Sequence, residues 1–121
     1  MAYTIELHTI TDSTARLTVI EKILPFEIKR VYYLYDISEH AIRGRHGHRK
    51  AISALISLNG TCVVKVFGSG EERFVLDRPN VCLVCLPEDW HEISEFSESA
   101  VLLVLSSEYY DPTDYIYEKP E

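Results

Sequence analysis

The chain has 121 residues, 46% of them hydrophobic, which is the size and composition of one domain with a core of its own, residues 1–121, and leaves no room for a second. A formal charge of -7 argues against a broad nucleic-acid surface, which needs a basic stripe along the phosphates. No apolar run approaches the roughly 18 to 20 residues that cross a bilayer, and Met1 to Glu6 lacks the basic-then-apolar order of a secretion leader, so the expectation is a cytoplasmic protein with no membrane partner.

Helical periodicity is scarce, and short runs rich in Val, Ile, Leu, Tyr and Thr recur with turn signals between them. The first strands are expected over 3–10, 16–21 and 28–35, followed by a polar loop from Asp36 to Arg43 and a central strand from His46 to Leu58. Asn59-Gly60 then turns into 62–67, Gly68-Ser69-Gly70 into 72–76, and Asp77-Arg78-Pro79-Asn80 into 81–86. Pro87-Glu88-Asp89 leads to 90–96, and Ser97-Glu98-Ser99 to Ala100–Leu105, a run apolar on both faces as a buried strand requires. The tail from Glu108 is polar and rich in tyrosine. Such spacing predicts a meander closed into a barrel or doubled into a sandwich, since either hides the sheet edges. An N-terminal strand left over from that closure is available to pair across a dimer.

The three cysteines, Cys62, Cys82 and Cys85, are an odd number in apolar runs, which suits buried thiols better than a disulfide framework. Cys82 and Cys85 form a C-x-x-C, but on a strand residues three apart point to opposite faces, and no second pair completes a zinc site.

The segment Arg43-Gly44-Arg45-His46-Gly47-His48-Arg49-Lys50 carries the main basic cluster around two histidines. If it is extended, His46 and His48 share a face, which continues through Lys50 into Ile52, Ala54, Ile56 and Leu58 as barrel interior. Inward histidines have three readings: hydrogen-bonded core residues, metal ligands with His91 as a third, or acid-base groups. Metal-binding barrels of this kind follow His-x-His with a glutamate four or five residues on, and Ile52 and Ser53 stand there instead. An imidazole titrates near neutrality and is able to move a proton on carbon beside a ketone, and the nearby Arg and Lys favour its neutral form.

Lys29-Arg30-Val31-Tyr32-Tyr33, Arg43-Gly44, His46-x-His48, Trp90-His91-Glu92 and Asp114-Tyr115-Ile116 occur in that order. Pro25-Phe26-x-Ile28 precedes the lysine, Leu58-x-Gly60 follows the histidine strand and Tyr109-Tyr110-Asp111 precedes Asp114. From about Thr11 to Ile116 the sequence thereby resembles the dTDP-sugar 3,4-ketoisomerases. The resemblance implies an all-β, single-domain cupin, a double-stranded β-helix or jelly-roll barrel, acting as a homodimer in deoxysugar biosynthesis with no metal and no organic cofactor. It implies a dTDP-linked 4-keto-6-deoxyhexose as substrate, with His48 as the base and His46 its partner in moving a proton between C3 and C4 through an enediol. Arg43, Lys29, Arg30 and Lys50 are then candidates for diphosphate or sugar-oxygen contacts, and Tyr32, Tyr35, Trp90 and His91 for the pocket wall and rim. The sequence departs from the family pattern at Thr14 and Ala15, where Arg-Gly is usual, at Ser53 in place of Gln, and at Cys82-Leu83 in place of Gly-Leu. A sugar epimerase using the same enolisation, or a non-catalytic nucleotide-sugar-binding cupin, is the alternative.

Overall fold

The structure, a computed structural model, describes residues 1–120. Its strands are β1 (Tyr3–Glu6), β2 (His8–Thr11), β3 (Arg16–Val19), β4 (Arg30–Leu34), β5 (Arg43–His48), β6 (Ser53–Asn59), β7 (Cys62–Phe67), β8 (Glu71–Leu76), β9 (Val81–Cys85), β10 (Trp90–Ser94), β11 (Val101–Ser106) and β12 (Tyr115–Ile116). Among the described residues the one helical element is a 3-10 turn at Pro112–Asp114. Two antiparallel 5-stranded sheets, β1-β9-β6-β11-β4 and β12-β5-β10-β7-β8, enclose the core, and β2 and β3 form a separate hairpin. This is the all-β cupin-type barrel that the resemblance implies.

Most strands fall where alternation placed them, two of the expected strands are each divided in two, β12 in the tail was not expected, and the pairing is not a meander. From β6 onward the chain changes sheet at nearly every connection, and among the described residues only β2–β3 and β7–β8 are consecutive strands that pair. Asn59-Gly60 therefore crosses from one sheet to the other instead of closing a hairpin. Gly60 has φ +70, and a Cβ there would collide with the Ser97 hydroxyl, so space and backbone both call for glycine. The expected strand 3–10 is divided at Leu7, whose N–H donates to the Asn80 carbonyl at 2.8 Å. Before that point β1 pairs with β9 of the same chain; after it β2 pairs with β3.

Two apolar layers explain the composition. Leu55, Val64, Leu83, Ile93, Leu102 and Val104 fill the space between the sheets. Ala54, Ile56, Cys82, Val84 and Leu105 form the other face of the first sheet, covered by Leu7, Ile20, Leu24 and Phe26. Strand β11 touches both layers, which is why its run is apolar at every position. Cys82 and Cys85 fall in different layers, as their spacing on β9 requires.

The expected central strand from His46 to Leu58 is two strands in two sheets. Between them the Arg49, Lys50 and Ala51 amides donate to Asp114, at 2.8 Å to its carbonyl, 2.8 Å to Oδ1 and 3.3 Å to Oδ2, and the Ile52 amide donates to Ser107 Oγ at 2.9 Å. Amides satisfied this way have no ladder to join, and the break resets the alternation. Ser53 and Leu55 consequently face the interior with His46, while Ala54 and Ile56 face outward, the reverse of the sequence expectation.

Candidate active site

Strand β5 brings His46 and His48 to one end of the barrel, with ring centroids 5.0 Å apart, and β10 sets His91 against His46, also at 5.0 Å. Gly47 between the first two is where the chain passes closest to β10: a Cβ there would stand 3.4 Å from Trp90 N and Cα. A cavity of about 80 Å³ has Tyr32, Arg43, His46, Ser53, Leu55 and His91 in its wall.

The C-terminal tail completes this end. Asp111 caps the 3-10 turn by accepting from Thr113 N at 3.0 Å with Pro112 inside the turn, and the chain then pairs as β12 along β5, Tyr115 opposite His48. Asp114 Oδ2 is thereby placed 3.0 Å from His48 Nδ1. A carboxylate only accepts, so the His48 proton sits on Nδ1 and the Nε2 lone pair is free. His91 Nδ1 lies 3.2 Å from the Asp89 carbonyl and by the same reasoning carries its proton there. His46 Nδ1 is buried without a hydrogen-bond partner. Tyr115 lies 4.7 Å from the His46 ring and 4.6 Å from His48, closing the cluster from outside.

Burial holds all three imidazoles neutral. It lowers His46 to about 3, helped by any charge on His91 and His48, and lowers His91 to about 4. His48 is also lowered by burial and further by the Arg30 charge, but the Asp114 carboxylate pulls the other way, through its hydrogen bond and its charge. Of the three, His48 is the one hydrogen-bonded to a carboxylate, which stabilises a proton once the ring has taken it. No group of three or more His, Cys, Asp or Glu among the described residues is placed to hold a metal ion.

The structure gathers some of the sequence-derived candidates and not others. Arg43, Tyr32, His46 and His91 line the cavity; His48 adjoins His46 without being part of that wall, and Arg30, inward on β4, lays its guanidinium 4.3 Å from the Tyr32 ring centre. Lys29, immediately before β4, is exposed, 5.9 Å from the Tyr109 ring. Tyr35 is 62% exposed and packs against Tyr33 on the outer face. Lys50 reaches Glu108 at 3.8 Å on the surface, so its contribution to the site is its backbone amide. Trp90 is buried but points away from His91: its Nε1 donates to the Tyr117 carbonyl at 3.3 Å, and it contacts Phe67 and Lys119 under the tail. Lys29, Tyr35 and Trp90 each adjoin a residue that faces in, so alternation turns them out, whereas Lys50 lies in the break between β5 and β6. The residues missed were Asp114, Tyr115 and Ser53. The first two lie within the Asp114-Tyr115-Ile116 match, but no local pattern in a polar tail shows that it folds back onto a strand 66 positions earlier.

The family described as FdtA: WxcM-like, C-terminal, matches residues 2–121. The TDP-4-oxo-6-deoxy-alpha-D-glucose-3,4-oxoisomerase of Aneurinibacillus thermoaerophilus is 46% identical over 110 residues, 88% of this chain and 79% of that protein. The sugar 3,4-ketoisomerase QdtA of Thermoanaerobacterium thermosaccharolyticum, solved in complex with TDP, superposes with a TM-score of 0.93 at 42% identity, covering 97% of this chain and 88% of that one. The TDP-quinovose 3,4-ketoisomerase WlaRB of Campylobacter jejuni does so with a TM-score of 0.92 at 37% identity, covering 97% and 92%.

Proposed function

Since the chain belongs to the FdtA, WxcM-like family of TDP-sugar 3,4-ketoisomerases, we propose that it is an isomerase moving the keto group between C4 and C3 of a TDP-linked 4-keto-6-deoxyhexose. The observation that carries the mechanism is the His48–Asp114 pair, 3.0 Å apart beside His46. His48 Nε2 takes the proton from C3, made acidic by the C4 ketone; the electron pair forms the C3–C4 double bond, and O4 gains a proton. Return of a proton to C4, with loss of the O3 hydroxyl proton, leaves the ketone at C3. His46 adjoins His48 and relays the proton. Asp114 holds the His48 tautomer and stabilises the imidazolium that forms, the role a buried carboxylate plays behind a catalytic histidine. Arg43, Arg30 and Tyr32 face the substrate, and His91 supports the His46 ring.

On this reading residues 1–121 act as one cytoplasmic domain in deoxysugar synthesis. A homodimer is part of the proposal: Val31, Tyr33 and Tyr35 leave the outer face of edge strand β4 56%, 60% and 62% exposed, apolar area that a second copy would cover. A purely monomeric species in sedimentation equilibrium at micromolar concentration removes that element.

The deciding experiment is proton NMR of TDP-4-keto-6-deoxyglucose incubated with the protein in deuterated water. A 3-keto product with deuterium at C4 is expected. Exchange at C3 without that product identifies an epimerase-like enoliser, and TDP binding without any exchange identifies a binding protein.

A further inference from the structure

Along a regular strand, residues an odd number of positions apart point to opposite faces. With His46 facing the cavity, a regular β5 would send Arg45 and Arg43 both outward. The ladder is not regular there. His91 pairs with His46, but Glu92 pairs with Gly44 and Ile93 with Arg43, so Arg45 is an extra residue, a β-bulge. Gly44 has φ +77 and Arg45 φ +61, the left-handed conformations that let the strand absorb it. Space as well as φ requires a glycine: a Cβ on Gly44 would stand 3.1 Å from the His91 carbonyl oxygen and 3.3 Å from His91 Cδ2.

The bulge sorts the two arginines. Arg43 is turned into the cavity wall beside His46 and Ile93. Arg45 is left outside, 3.6 Å from Glu92. Among the described residues Arg43 has no carboxylate within ion-pair distance, so its charge is available to a ligand.

We propose that the Gly44–Arg45 bulge is a positioning device that delivers Arg43, and not Arg45, to an anionic oxygen of the bound nucleotide sugar, with Gly44 the positioning residue. The identity of the ligand rests on the isomerase reading; the sorting of the arginines rests on the ladder alone. The oxygen is either on the diphosphate or on the enediolate formed at C3–C4, and the two are separable.

The test exploits parity. Gly44→Val disfavours the bulge and turns Arg43 outward. Deleting Arg45 removes the extra residue, so that simple alternation returns Arg43 to the face of His46. Each variant is first checked by circular dichroism, then assayed for kcat and KM with TDP-4-keto-6-deoxyglucose and for the Kd of TDP by calorimetry. Arg43→Ala is expected to raise the TDP Kd about tenfold if the oxygen belongs to the diphosphate, or to lower kcat about tenfold or more at unchanged TDP Kd if it is the enediolate. Gly44→Val is expected to reproduce that pattern, and deletion of Arg45, alone or together with Gly44→Val, to return the values to within about threefold of the parent protein. The proposal is overturned if Arg43→Ala changes neither constant, if folded Gly44→Val behaves as the parent, or if the folded deletion variant is as impaired as Arg43→Ala. A parent protein that binds TDP but does not turn over the sugar defeats the isomerase reading, and the Arg43 placement then stands or falls on the TDP Kd.

Discussion

His48 has two neighbours of opposite electrostatic effect, and the balance between them sets its use. Burial and Arg30 favour the neutral base, while Asp114 favours the protonated product of its action. Replacing Asp114 with Asn keeps the shape but removes the charge and permits the wrong tautomer, so turnover should fall by about two to four orders of magnitude. Because Asp114 raises the His48 pKa, its loss should also move the acid limb of the kcat/KM profile to lower pH. His48→Asn should remove turnover to a similar extent while TDP binding persists. An Asp114→Asn enzyme with parental kcat, or an acid limb that moves upward, contradicts the assignment. His46 and His48 were legible in the sequence because His-x-His on a strand fixes a shared face; Asp114 was not, because nothing local marks the residue that closes on them.

Strand β11 and strand β9 are where local pattern and tertiary packing agree. Leu102 is 1% exposed in the layer between the sheets, so Leu102→Ala should cost about 2–5 kcal/mol in urea unfolding, from lost burial and the cavity left behind. A loss under about 1 kcal/mol would show that the layer collapses around the gap. The thiols give a second check: burial raises Cys62 and Cys82 to about 11 and Cys85 further still. The native protein should therefore leave all three unreactive to a thiol reagent near neutral pH, and expose three only on denaturation. Fast modification of any one in the native state would contradict the packing. Strands β5 and β6 are where pattern and packing disagree. One hydrophobic alternation was read through residues 49–52, but Asp114 and Ser107 take those amides, and every side chain beyond the break changes face.

For the molecule as a whole, the histidine cluster ties stability to pH. His46 is held at about 3 and His91 at about 4, both below the ordinary value near 6.5 that applies to the unfolded chain. The unfolded chain binds more protons across that interval, so stability is complete above about pH 6.5 and is lost as pH falls toward 4. Thermal melts should show Tm declining from about pH 6.5 to 5, before ordinary carboxylates titrate; a flat Tm there would mean that the cluster is solvated. The amino-acid sequence by itself determined the all-β content, the buried thiols and the shared face of His46 and His48, because each depends on a period-2 pattern or a turn a few residues long. Only the tertiary structure decided which strands pair, that Arg43 is turned inward by an extra residue at Arg45, and that the tail brings Asp114 and Tyr115 onto the histidines. Those depend on amides and side chains far apart in the chain competing for the same hydrogen bonds and the same space, a contest that no local window records.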